Sequence, residues 1–349
     1  PVLAVAVAFL IASQAVRAAD VKESSYKGWK TVNLSNSRIE VIIAPDIGRI
    51  IQFKLGDFEY FWVNEQLAGQ TPPPTGVGPK GEWLNWGGDK LWPAPQGWDT
   101  TQQWPGPPGP VPNAEGLPHK VRWKKNADGS CEVEMIGPPD YYAGIQFSRR
   151  ITVRDGTTSV SLDSTMTNID KKPRRWGIWE VTQINCANRD GPGYYNVWAA
   201  CPINPRSIFP KGYKVMYGAE DNPAWQAKLE TGTMHVHYVR QVGKIALDSM
   251  AGELVVVINH DFGGHQFRER FKCFPGKKYP DDATVEFWIQ GPGKFTAAGK
   301  ENVVRDDAIE APPYMEVEVL SPFAELKPGE SYTFHNEWTA GEFMWSAGF

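Results

Sequence analysis

The sequence lacks most of what would tie it to the large, easily recognised classes. Only four of its 349 residues are cysteine, at 131, 186, 201 and 273, and no two stand as C-x-x-C. That spacing is what a zinc ribbon or a dithiol redox centre needs, so neither is expected. Blocks of like charge are missing and the formal net charge is only −4. A chain without a basic face or tail has no electrostatic footprint for nucleic acid, and no nucleic-acid partner is expected. Phosphate-cradling glycine patterns, G-x-S-x-G and H-E-x-x-H do not occur, which leaves nucleotide enzymes, serine hydrolases and zincins unsupported. Tandem repeats and low-complexity linkers are missing as well.

Long hydrophobic runs are scarce. The longest covers residues 1–12 and is too short for a membrane span of roughly 20 residues. It leads into Val16-Arg17-Ala18, with small or apolar residues at the two positions that matter for cleavage. This is the pattern of a secretory signal that begins part-way through its apolar stretch. Residues 1–18 are therefore expected to be removed, and 19–349 to form a single domain in the periplasm or outside the cell, with no transmembrane segment. An oxidising compartment permits disulfides. Four cysteines allow three pairings, and Cys186 with Cys201 is favoured as the closest pair.

What the sequence does have is tryptophan, glycine and proline: 15, 34 and 29 copies. Gly and Pro punctuate many short β-rich stretches, which predicts an all-β, antiparallel sandwich with few short helices. Strands are expected at 38–43, 49–55 and 58–62, then at 121–123, 131–135, 145–153, 159–168 and 176–184. Later ones are expected at 234–239, 244–248, 254–259, 284–290, 314–320 and 331–338. Residues 224–230 are the one candidate helix. Residues 68–118 show no periodic element, yet carry Trp83, Trp86, Trp92, Trp98 and Trp104. Disordered segments are poor in aromatics, so this stretch is expected to pack as a loop over one sheet face.

Alternate residues of a strand share a face, which sorts the candidate site residues. Tyr314, Glu316 and Glu318 point together, opposite Met315, Val317 and Val319. Two carboxylates about 7 Å apart along a strand suit acid–base chemistry, or a hard cation such as calcium; no other cofactor is implied. Glu286 and Trp288 repeat the pattern, and a carboxylate beside an indole suits a sugar ring. On the 176–184 strand, Glu180 shares a face with Trp176 and Thr182, and Trp179 with Gln183. Asp89 and Lys90, between a Gly pair and Trp92, are candidates to orient a ligand, as are His265 and Arg268 in an expected loop. His235 and His237 form an H-x-H that lacks a local third zinc ligand.

The order of these pieces resembles the galactose-mutarotase-like superfamily. The resemblance rests on the Pro45-Asp46-Ile47-Gly48-Arg49 turn, the strand pair around Asp155-Gly156 and Thr167-Asn168, Thr284 to Trp288, Tyr314 to Glu318, and the turn at 328–330. The segment Asn85-Trp86-Gly87-Gly88-Asp89-Lys90-Leu91-Trp92-Pro93 resembles the signature of a bacterial secreted family of unassigned function within it. The resemblance implies a β-supersandwich that binds carbohydrate on a concave face. In the family's epimerases a His is the acid and a Glu the base, while Arg, Asp and a second His hold hydroxyls. Glu316 or Glu318 falls at the place of the base, and Lys90 at that of the sugar-binding Arg. The strand expected to carry the acid has no His; Glu180 stands near that place and is the candidate acid, with Trp86, Trp92 and Trp288 as stacking rings. A non-catalytic binding module, and a polysaccharide lyase or hydrolase on the same fold, are the alternatives.

Overall fold

The computed structural model describes residues 18–97, 99–107, 109–187, 196–260 and 263–344. Residues 1–17 of the expected signal, and Trp98, lie outside the described residues. Within them the chain forms 24 strands, here numbered in chain order. The first ten are β1 (Asp20–Tyr26), β2 (Trp29–Ser35), β3 (Ile39–Ala44), β4 (Arg49–Leu55), β5 (Phe58–Glu59), β6 (Asp89–Ala94), β7 (Lys120–Lys125), β8 (Cys131–Asp140), β9 (Ile145–Val153) and β10 (Ser159–Asn168). Next come β11 (Arg174–Asn185), β12 (Val197–Pro202), β13 (Lys214–Gly218), β14 (Trp225–Lys228), β15 (Thr233–His237), β16 (Gly243–Leu247) and β17 (Glu253–His260). The last are β18 (Gly263–Phe271), β19 (Val285–Ile289), β20 (Gly293–Ala297), β21 (Lys300–Val304), β22 (Tyr314–Leu320), β23 (Ala324–Leu326) and β24 (Ser331–Met344).

They make two large antiparallel sheets. The first has 12 strands and runs β1-β2-β3-β4-β6-β11-β22-β19-β16-β13, with β5 and β23 attached to β4 and β11. The second has ten, in the order β14-β15-β12-β17-β18-β24-β10-β9-β8-β7. The hairpin β20–β21 belongs to neither. The core fills the space between the sheets. On β10 burial alternates residue by residue, as for a strand with one wet face. The central strand β22 is different, because all seven of its residues are buried. Met315, Val317 and Val319 face the second sheet, and each such side chain contributes roughly 1.5–3 kcal/mol by leaving water. The charged residues between them, Glu316 and Glu318, lie on the other face.

Several expectations are corrected. Residues 225–228 of the candidate helix form strand β14, and the only helical elements among the described residues are four three-residue 3-10 turns. The 68–118 stretch does pack as a covering loop, but it contains β6, a strand in the middle of the first sheet. Its entry is set by Gly87 and Gly88, both at positive φ, where a Cβ would strike the Trp62 and Ile50 carbonyl oxygens. Strands β1, β2, β12, β13, β18, β20, β21 and β23 were not expected. All four cysteines are free thiols, so Cys186 and Cys201 are not joined.

Candidate active site on the outer face of the first sheet

The register of the first sheet lines up side chains from six neighbouring strands on the face turned away from the second sheet. Trp92 on β6 stands opposite Trp179 on β11. The next row reads Lys90, Val181, Glu318, Glu286 and Ala246 across β6, β11, β22, β19 and β16. The row after that reads Gln183, Glu316, Trp288, Lys244 and Tyr217 across β11, β22, β19, β16 and β13. Residues far apart in the chain thus form two adjacent rows in which polar groups predominate, with Val181 and Ala246 among them. Tyr314, one step further along β22, accepts a hydrogen bond from Asn85 at 3.2 Å.

Glu316 is held on one side only. Its Oε1 accepts hydrogen bonds from Lys90 Nζ at 3.1 Å and from Gln183 Nε2 at 2.8 Å. At 7% exposure it is the most accessible carboxylate of the two rows. Lys90 itself is buried, with Trp92 at 4.8 Å and Trp83 at 5.7 Å from its ammonium group. Burial lowers its pKa, and Glu316 works against that by favouring the charged form.

Glu286 and Glu318 are a directly opposed pair of like groups, an arrangement that is unfavourable unless something neutralises it. Lys244 Nζ does so, at 2.6 Å from Glu286 and 2.8 Å from Glu318. Trp179 Nε1 also donates to Glu318, at 2.7 Å. One ammonium cannot balance two buried carboxylates. Burial and the neighbouring Glu286 push Glu318 up to about 8, against the pull of Lys244, and burial raises Glu286 as well. The two carboxyl groups compete for one ammonium, and burial favours the uncharged form of each. Burial opposes the charge on Lys244, but the two glutamates outweigh it and raise its pKa. The cation between these carboxylates is therefore Lys244. Among the described residues, no group of three or more His, Cys, Asp or Glu is placed to hold a metal.

Asp89 and Glu180 do not join this site, because they point to the opposite face, into the space between the sheets. There both pair with Arg149 of β9, Glu180 at 2.6 Å. Thr182 donates to Asp89 at 2.8 Å, and Asn336 donates at 2.6 Å to Glu269 beside them. Two carboxyl groups thus pair with one arginine, with a third buried beside them. Burial raises all three, Glu180 to about 7 and Glu269 well above the carboxylate range. Glu180 consequently cannot serve as the acid to a base at Glu316 or Glu318.

Other candidates also move. Trp86 packs edge-on against Trp29, 6.2 Å away in a separate buried cluster, and offers no stacking surface. Trp92 and Trp179 are buried, each with a lysine over its ring, so they wall the site. Trp288 alone of the stacking candidates is part-exposed. His265 and Arg268 lie on β18 in the second sheet: His265 stacks on Phe58 at 3.7 Å and Arg268 pairs with Glu253 at 2.9 Å. His235 and His237 stack on Trp198. The residues missed are Lys244, Arg149, Glu269 and Tyr217. A lone lysine inside the apolar run Gly243-Lys244-Ile245-Ala246-Leu247 was the one available signal for the first of them.

No protein-family model matches the sequence, and no curated protein matches it. Solved structures do resemble the fold. A galactose mutarotase-like protein from Lactobacillus casei superposes with a TM-score of 0.53 over 89% of this chain and 100% of its own, at 12% identity. Another, from Clostridium acetobutylicum, gives 0.51 over 93% and 99%, also at 12% identity. A TPR-domain containing protein from Parabacteroides distasonis gives 0.54 over 93% of this chain at 12% identity, and the match spans about half of that longer protein, 53%. The chain thus has the galactose-mutarotase-like fold, an all-β antiparallel sandwich. No family model supports the finer likeness drawn from residues 85–93.

Proposed function

We propose that this protein is exported by way of residues 1–18, binds a carbohydrate on the outer face of its first sheet, and interconverts the anomers of that sugar by acid–base chemistry. The observation that carries the reading is the neighbourhood of Glu316, a carboxylate anchored through one oxygen, and the Glu286–Glu318 pair, two buried carboxyl groups on one ammonium. Glu316 would take the proton of the anomeric hydroxyl while the pair delivers one to the ring oxygen. The ring then opens, and closure on the other face returns both protons. Lys90 and Gln183 would orient Glu316 and ligand hydroxyls, and Trp288 would cover the sugar's apolar edge.

A thermal-shift screen of the chain from Ala19 onward, against mono- and oligosaccharides with and without calcium, tests the binding step. A ligand that binds only the folded state raises the melting temperature. No shift across the panel would sink the reading. The near-complete burial of Glu286 and Glu318 favours a second reading, a non-catalytic binding protein in which the charges are structural. It predicts that Glu316→Gln keeps most of the affinity and that wild type turns nothing over.

A further inference from the structure

The polar rows do not end at Lys244. Tyr217 on β13 stands directly across from it, and its ring meets Trp288 at 6.2 Å and Phe295 at 5.7 Å. Trp288 and Phe295 meet edge-on at 5.3 Å. Phe295 comes from the β20–β21 hairpin, which leans on β13 without joining either large sheet. All three rings are part-exposed, unlike the buried Trp92 and Trp179 at the other end of the rows. Between the hairpin and β13 lies a groove of about 280 Å³ lined by Tyr217, Gly218, Glu220, Phe295, Thr296 and Glu301. A two-stranded hairpin is marginally stable by itself, so a ring that it holds against the end of a polar site calls for a role there.

Tyr217 joins the groove to the candidate site: it lines the groove, stands opposite Lys244 and meets the ring of Trp288. Three strand spacings of about 4.8 Å separate the strand of Glu316 from that of Tyr217, about 14 Å in all, which is longer than one sugar ring. The charges on the rim are spent on each other or on neighbours, Lys294 with Glu301 at 3.0 Å and Glu220 with Lys211 at 3.2 Å. Aromatic faces with a charge-balanced polar rim fit an uncharged sugar, which offers C–H groups to the rings and hydroxyls to the rim.

We propose that this groove is a second sugar subsite, which takes a neutral unit of an oligosaccharide whose neighbouring unit sits at Glu316. The proposal rests on the sugar-binding reading above and adds to it that the ligand is a chain. Titration calorimetry on the whole protein would compare glucose, galactose and mannose with their β-1,4-linked tetrasaccharides, in wild type, Phe295→Ala and Phe295→Leu. The expected result is a tetrasaccharide bound about tenfold more tightly than its monomer, an advantage that both variants reduce to about twofold without changing monomer affinity. If Phe295→Ala fails to fold, Phe295→Leu decides. A tetrasaccharide bound no better than its monomer, or an advantage that survives loss of the ring, would overturn the subsite while leaving the sugar reading intact. Binding of neither form overturns both.

Discussion

Glu318 stands directly opposite Glu286 on the neighbouring strand, and the ammonium of Lys244 lies between them, 2.8 and 2.6 Å from the two carboxyl groups. This trio defines the electrostatics of the site. It holds two carboxyl groups and one cation out of water, which raises the pKa of Glu318, and that has a consequence for stability.

Glu318 is pushed up to about 8 in the folded chain, while an unfolded glutamate titrates near 4.3. Between those values the folded state binds more protons than the unfolded one. Stability from this group is therefore complete below about pH 4 and is lost as pH rises through about 8. Urea midpoints at pH 5, 6, 7 and 8 should fall with pH, and Glu318→Gln, which cannot ionise, should fall less. Equal slopes for the two proteins would show that Glu318 is an ordinary ionised carboxylate.

The interior cluster gives an independent prediction. Arg149 is the sole cation paired there with Asp89 and Glu180 among the described residues. Its replacement by Met should cost about 3–5 kcal/mol, because buried carboxyl groups lose their partner. Glu269, whose pKa burial raises well above the ordinary value, should accept Gln with a loss of under about 1 kcal/mol. Denaturant unfolding of both variants checks this, and a Glu269→Gln protein as unstable as Arg149→Met would contradict it.

Glu180 and Glu316 lie on opposite faces of one sheet, so their variants should separate. Glu180→Gln should bind sugar and turn it over as wild type does. Glu316→Gln should bind but lose turnover by roughly 10²–10⁴-fold, the usual share of general acid–base catalysis. Loss of turnover in Glu180→Gln, in a protein that melts normally, would return Glu180 to the mechanism.

The same pair of residues shows how far the sequence could be read. Alternation grouped Tyr314 with Glu316 and Glu318, and Trp179 with Gln183, and the structure keeps both groupings. It did not reveal which face of β11 turns outward. That strand is buried on both sides, and a one-residue change of register would exchange its faces. Asp89 was obscured for a related reason: β6 begins after two glycines and contains Pro93, so it read as loop. Lys244 was missed because its partners, Glu286 and Glu318, lie 42 and 74 residues away along the chain. Only the sheet order β22-β19-β16 brings them together.

The most direct test of the account is exchange NMR between the α and β anomers of the sugar that raises the melting temperature, with catalytic amounts of wild type and of Glu316→Gln. The account predicts exchange well above the uncatalysed rate with wild type, and none above it with Glu316→Gln, which still binds. Exchange by Glu316→Gln at the wild-type rate, or none by a wild type that binds the sugar, would contradict it.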